Sequence, residues 1–485
     1  MRRLIVALSL LLTVAACTPP RPPNIPAPPV VVAPTVSVLT VEVEPKTAIV
    51  RVQSVDGTQI KERPTRSDGL YVEEFTFGST YRVTARATSY EPSAPFTMTF
   101  DWERHYVKIT LTKTPAPPVP TFTIRNRQFY DGDTLYVQRW VSGLTLLVRT
   151  PEQQGTFLDW AAKTGFNGVR VFAGALTWAG QTPDGARAAL PALLDLAAAR
   201  GLTVEVTAIT DSATGYDARE HVRLLAGLLT NRRGVVFELA NEVGHPTQAA
   251  NITADNLRQW GAALVPAGLP WAVGAAGVDE PDAAGVYPTS GGSYSTAHLD
   301  RGRDLWNQFR RVREIYAIVE STKAPALNNE PLGCAEPGTA GQRFFDPAMA
   351  FVLGALDRGF GVGGVHHSQA GLMAQLPGPV QQACADAYVA AHAAVDAVLP
   401  GVVGQYKNVG HAGGPFAAAG FVDGGQADGV IRAYAFIDGN RGVVVLMGLK
   451  GDAALVWANG WRLIRTVASR TAQDGRQIVV LEIGR

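Results

Sequence analysis

Two glutamates stand at the ends of apolar runs. Glu242 follows VVFELAN, and Glu330 closes PALNNE. Desolvating a carboxylate costs free energy, so one set at the end of a buried run implies a task there. Two carboxylates facing across a cleft are the apparatus for cleaving a glycosidic bond. One gives a proton to the leaving oxygen while the other attacks or activates water. Glu242 is placed to give the proton, and its neighbour Asn241 to hold a sugar hydroxyl. The two glutamates lie far apart in sequence, so only a fold that gathers distant strand ends can pair them.

The surrounding pattern describes such a fold. From about residue 121 to 397, short apolar runs alternate with alanine- and leucine-rich helical stretches. Strands are read at 144–148, 168–172, 203–208, 235–240, 271–275, 295–299, 325–330 and 362–367. Helices such as GTFLDWAAKTG, LPALLDLAAARG and MAFVLGALDRG each end on glycine, a stop signal. Eight strands alternating with helices over about 250 residues predict a (β/α)8 TIM barrel, an α/β fold. A doubly wound open sheet would want a glycine-rich phosphate loop after its first strand, and VRTPEQQG is not one. In a barrel the loops after the strands converge on one mouth. Glu242 then follows the fourth strand and Glu330 ends the seventh. Strand alternation points Glu238 inward, with Arg170 as its ion-pair partner.

The segments GFNGVRVF, VVFELANEV, STAHL and ALNNEPLG resemble, in order and spacing, the clan A glycoside hydrolases, most nearly the family 5 (cellulase-like) group. The resemblance covers the barrel alone. It implies that Glu242 is the acid/base and that Glu330 is the nucleophile of a retaining enzyme. It further implies that Asn241 bonds the 2-hydroxyl at the cleaved sugar, that Arg170 steadies the nucleophile, and that His298 is the strand-six histidine. Two features depart from that group. Strand six continues Leu299–Asp300 where a tyrosine is usual, leaving Tyr294 as another source of a hydroxyl. Strand eight ends in His366 and His367 rather than a tryptophan platform. These histidines point opposite ways, so at most one faces the mouth, and His367 is counted with the substrate-binding candidates. Trp178, after strand two, offers a stacking surface for a sugar's apolar face.

The flanks read differently. MRRLIVALSLLLTVAAC has a basic start, a short apolar run and small residues before Cys17, as in a secretory signal. The tetrad VAAC resembles the lipobox of bacterial lipoproteins, implying lipidation of Cys17 within a segment 1–17. The proline-rich 18–35 reads as an extended tether and 114–120 as a linker. Period-two alternation predicts a small β-sandwich at 36–113, similar to PEGA or carboxypeptidase-regulatory-like domains, and another at 398–485. The expected location is the bacterial cell envelope, lipid-anchored at the outer membrane or cell surface.

The net charge of +1 argues against a nucleic-acid partner. The expected partner is a polysaccharide or oligosaccharide. No cofactor and no metal is expected: the first strand lacks the His-x-His of amidohydrolase barrels, and no G-x-S-x-G elbow occurs. Cys334 and Cys384 can form a disulfide or remain two buried thiols. Against the hydrolase stands a catalytically silent carbohydrate-binding or envelope-structural lipoprotein.

Overall fold

The computed structural model describes residues 35–87, 90–112, 119–211, 216–245, 248–249, 251–275, 292–298, 324–330, 333–334, 347–407, 421–422, 431–448, 457–472 and 475–485. Two compact units divide between Thr114 and Pro115.

The first unit is two antiparallel-rich sheets. Its strands are β1 (Val36–Glu44), β2 (Ile49–Ser54), β3 (Ile60–Pro64), β4 (Leu70–Thr76), β5 (Thr80–Arg86), β6 (Phe96–Thr99) and β7 (Arg104–Thr110). They form sheets of order β4-β1-β7 and β3-β2-β5-β6. The alternation is literal in β1, where Leu39, Val41 and Val43 are buried and the residues between them face outward. These meet Val50, Val52, Tyr81 and Val83 in one core, with Phe75 stacked on Phe100 at 4.9 Å.

The second unit begins with a meander, β8 (Phe122–Arg125), β9 (Gln128–Asp131) and β10 (Thr134–Tyr136). Eight parallel strands follow: β11 (Arg139–Ser142), β12 (Gly168–Phe172), β13 (Thr203–Ile209), β14 (Val235–Ala240), β15 (Trp271–Ala272), β16 (Ser295–His298), β17 (Ala326–Glu330) and β19 (Gly363–Ser368). The short β18 (Gly333–Cys334) pairs with β19. The sheet order is β15-β14-β13-β12-β11-β19-β17-β16. Its two ends meet, because the Trp271 carbonyl accepts from the backbone of Ser293 at 2.8 Å, just before β16. This is the TIM barrel expected from the alternation.

Every residue of β12, β13 and β14 is buried, as in parallel strands covered on both faces. The helices start where the sequence supplies caps. Thr150 forms a capping box with Gln153 ahead of α1 (Pro151–Thr164), and Gly165 ends that helix at φ 102°. α2 (Leu176–Ala179) is a single turn. Thr182 caps α3 (Pro183–Ala198), Asp217 caps α4 (Ala218–Leu229), and Thr253 caps α5 (Ala254–Leu264).

The first strand requires a correction. It was expected at 144–148, but β11 lies at Arg139–Ser142, and Leu146–Val148 is a 3-10 turn. The apolar run LTLLV is not a strand but a cover over the strand's end. Leu146 and Phe157 close so tightly over Gly143 that a Cβ there would lie 2.6 Å from Leu146.

Beyond the described part of β17 come α6 (Pro347–Phe360), α7 (Gln369–Leu372) and α8 (Pro379–Asp396). Cys334 is bonded to Cys384 of α8, which resolves the choice left open by the sequence. The remaining strands are β20 (Gln405–Lys407), β21 (Phe421–Val422), β22 (Ile431–Asp438), β23 (Arg441–Met447), β24 (Arg462–Thr471) and β25 (Gln477–Gly484). They make one six-stranded sheet. One face joins the barrel's outer core through Tyr434, Phe436, Val443 and Val445, with Phe360 of α6 against Phe436 at 4.9 Å. The opposite face packs Ala435, Val444 and Leu481 against Trp461.

Candidate active site

The barrel interior is apolar at one end. Trp140, Val236, Ala272, Tyr294, Leu327 and Val365 cluster there under Phe129 and Phe122 of the meander. Moving along the same strands toward their C-terminal ends, the next inward residues are polar: Arg170, Glu205, Thr207, Glu238 and Asn329, all fully buried.

Arg170 holds this layer together. Its Nη2 donates to Glu238 Oε2 at 2.7 Å, and its Nε lies 3.4 Å from Glu205 Oε2. Its Nη1 donates to the Asn329 carbonyl at 3.2 Å. The expected Arg170–Glu238 pair is therefore present. Asn329 Nδ2 donates to Glu238 Oε1 at 2.9 Å, and Thr207 donates to Glu238 Oε2 at 2.7 Å. One guanidinium thus faces two buried carboxylates. Burial, reinforced by the charge of Glu238, pushes Glu205 up to about 8. Burial also opposes ionisation of Glu238, but Arg170 and His298 outweigh it and hold that carboxyl below its ordinary range.

Above this layer lies the mouth. Asn241 leaves β14 with its backbone N–H on the Ile209 carbonyl at 2.8 Å, and its Oδ1 accepts from Arg170 Nη2 at 2.6 Å. Glu242 then takes the left-handed conformation, φ 39°, which a non-glycine residue adopts only against resistance. Such backbone strain concentrates at functional sites. Gly274 makes this turn possible, since a Cβ there would lie 1.9 Å from the Ala240 carbonyl oxygen.

The Glu242 carboxyl is buried. Its Oε1 lies 3.7 Å from His298 Nδ1 of β16, and its Oε2 accepts from Gln248 Nε2. His298 in turn stands opposite position 330. The β16–β17 register slips by one residue between Ala297 and His298, so that His298 pairs with Glu330. The barrel therefore brings 241, 242, 298 and the backbone of 330 to one end. The Glu330 side chain lies outside the described residues.

His367 faces inward, its Nδ1 2.8 Å from Ser142 Oγ at the end of β11. His366 faces outward between Phe166 and Tyr388, at ring distances of 5.9 and 5.7 Å. Burial there pushes its imidazole down to about 4. Asp211, just after β13, accepts from the Thr177 backbone N–H at 2.5 Å and its hydroxyl at 2.8 Å. That contact fixes the turn bearing Trp178, whose own side chain lies outside the described residues, as does Cys17.

Tyr294 requires a second correction. It precedes β16 at the apolar end of the barrel and donates to Glu205 Oε1 at 3.1 Å. It offers no hydroxyl at the mouth. Glu205 and Gln248 are among the residues of the site that went unread in the sequence. Glu205 carried a signal, a lone carboxylate in the otherwise apolar TVEVTA. Gln248 carried none.

No protein-family model matches the chain, and no curated protein is similar to it in sequence. Solved structures are similar in fold. A glycoside hydrolase family 5 protein of Bacteroides vulgatus ATCC 8482 superposes with a TM-score of 0.51 at 11% identity, covering 75% of this chain and 93% of its own. A second glycoside hydrolase gives 0.53 at 11%, covering 75% and 96%. A further protein of Bacteroides vulgatus ATCC 8482, carrying the name of a glycoside hydrolase, gives 0.50 at 11% and covers 93% of this chain and 98% of its own. At such identity the likeness is one of fold: the chain shares the barrel architecture of these glycoside hydrolase structures.

Proposed function

We propose that this chain is a retaining glycoside hydrolase that cleaves β-glycosidic bonds of a polysaccharide. The observation that carries the reading is Glu242, buried and backbone-strained at the end of β14, within 3.7 Å of the histidine whose strand partner is Glu330. In this reading Glu242 protonates the glycosidic oxygen as the bond breaks, and Glu330 attacks the anomeric carbon to form a glycosyl-enzyme intermediate. Glu242, now ionised, takes a proton from the water that releases the sugar. Asn241 holds the 2-hydroxyl, with its amide oriented by Arg170. His298 and His367 line the sugar's path, and Trp178 is the proposed stacking residue.

Incubating the protein with a panel of β-linked polysaccharides and following the freed anomeric centre by NMR tests this directly. Release of the β-anomer first supports retention. An α-anomer, or no release from any member, rejects it. A catalytically silent binding protein is favoured by one observation, the removal of Tyr294 from the mouth, and it predicts binding without release.

We also propose that the protein is a lipoprotein of the cell envelope, anchored through Cys17 and held off the membrane by residues 18–35. The basic, apolar and small-residue order ending in VAAC supports this. Cys17→Ala should move the protein from the membrane to the soluble fraction, and retention in the membrane would count against it.

A further inference from the structure

We propose that Gln248 is a positioning residue, which commits Oε2 of Glu242 as a hydrogen-bond acceptor and leaves Oε1 as the oxygen that delivers the proton. This rests on the reading of Glu242 as the acid/base. The argument begins at Arg170, whose guanidinium has donors only. It gives Nη2–H to Asn241, so that amide must turn its Oδ1 toward Arg170. The Asn241 Nδ2 then faces Gln248 and donates to its Oε1. Gln248 is thereby left with its Nε2 toward Glu242, and it donates to Oε2. Each amide has one possible orientation, set by the group before it.

The backbone builds the contact. The His245 N–H donates to the Glu242 carbonyl at 2.9 Å, and the Gln248 N–H donates to the His245 carbonyl at 3.0 Å. Two successive turns carry residue 248 back over residue 242, with Val243 and Ala249 bridged beneath. Four groups that can titrate or carry charge surround the carboxyl. His298 on β16 lies 3.7 Å from Oε1, and His245 on the same loop lies 3.9 Å from Oε2. Arg170 on β12 acts through Asn241, and position 330 on β17 is the strand partner of His298.

The consequence is directional. A hydroxyl oxygen is a weaker acceptor than a carbonyl oxygen, so the amide on Oε2 favours the proton on Oε1, on the His298 side. A donor on Oε2 also favours the ionised carboxylate that must later take the water's proton. A leucine at 248 would leave Asn241 without its acceptor and Glu242 without its donor.

Two measurements test this in the full chain. The first needs no substrate: the side-chain ¹⁵N–¹H pair of Gln248 is followed against pH. It should shift through a titration in the wild type, and that step should vanish in Glu242→Gln. Identical curves in both proteins overturn the bond. The second follows kcat/KM against pH on an aryl β-glycoside. In Gln248→Leu the alkaline limb should move up by about one pH unit, with the loss at the optimum, about tenfold, falling on kcat rather than KM. An unmoved limb in Gln248→Leu overturns the positioning role. If Glu242→Gln itself leaves rate and profile at wild-type values, the acid/base reading has failed, and the resonance of Gln248 alone decides its bond to Glu242.

Discussion

His298 Nδ1 lies 3.7 Å from Glu242 Oε1, and the strand residue opposite His298 is Glu330. One histidine thus stands between the position read as acid/base and the position read as nucleophile. Its place depends on the one-residue slip between β16 and β17. Without that slip His298 would pair with Asn329, whose amide is already bonded to Glu238.

Arg170 should be the most sensitive residue of the buried layer. Arg170→Met leaves Glu205 and Glu238 without their cation in a fully buried site. Breaking one partner out of such a network costs about 3–5 kcal/mol. Urea unfolding of the barrel should show that loss. A loss under about 1 kcal/mol would mean the two carboxylates are neutralised in another way.

The barrel's stability should fall as pH rises toward 8. Glu205 is pushed up to about 8 by burial and by Glu238, and Asp357 to about 8 by burial, against ordinary values of 4.5 and 3.8. The folded barrel therefore binds more protons than the unfolded chain between those limits. The contribution is complete below the ordinary values and is lost as pH climbs through about 8. Glu238 runs the other way: its depressed carboxyl contributes stability that is lost on acidification. Melting temperature measured across this range should decline, and a Glu205→Gln, Asp357→Asn double variant should flatten the decline. An equal slope in wild type and variant would contradict the assignment.

Much of this was legible in the strands that are buried on both faces. β12 to β14 read as mostly apolar runs, and two of the charges inside them, Arg170 and Glu238, stand out for that reason. The first strand did not, because RWVS is less apolar than the LTLLV that covers it, and burial rather than hydropathy decides which run pairs. Tyr294 reads in the sequence as a possible source of a hydroxyl for the site, because sequence distance from His298 does not say at which end of a short strand a residue falls. Gln248 was invisible in principle. Its role arises from two backbone turns that fold a loop back on itself, and no periodicity marks them.

The Cys334–Cys384 bond closes a loop across a sequence separation of 50 and ties the segment after β17 to α8. Restricting the unfolded chain over such a loop contributes about 4 kcal/mol. Reduction by dithiothreitol should lower the melting temperature by several degrees, and Cys384→Ala should match it. An unchanged melting temperature would show that the barrel holds that segment without the bond.

Asn241→Ala should reduce kcat/KM by about a hundredfold, because its amide is proposed to meet the sugar hydroxyl in the transition state, and should cost about 1–3 kcal/mol of stability by removing an acceptor of the buried Arg170. Unchanged activity in the folded variant would leave Asn241 only its structural link between Arg170 and Gln248.

The most direct test of the central claim is azide rescue on an activated aryl β-glycoside. A good leaving group departs without protonation, so Glu242→Ala should still form the intermediate, and azide should then attack without base assistance. The account predicts faster turnover of Glu242→Ala with azide and a β-glycosyl azide product, while Glu330→Ala forms no intermediate and no β-azide. A β-glycosyl azide from Glu330→Ala, with an inverted azide from Glu242→Ala, would mean the two roles are exchanged. Wild-type activity in both variants would remove the chemistry from this end of the barrel.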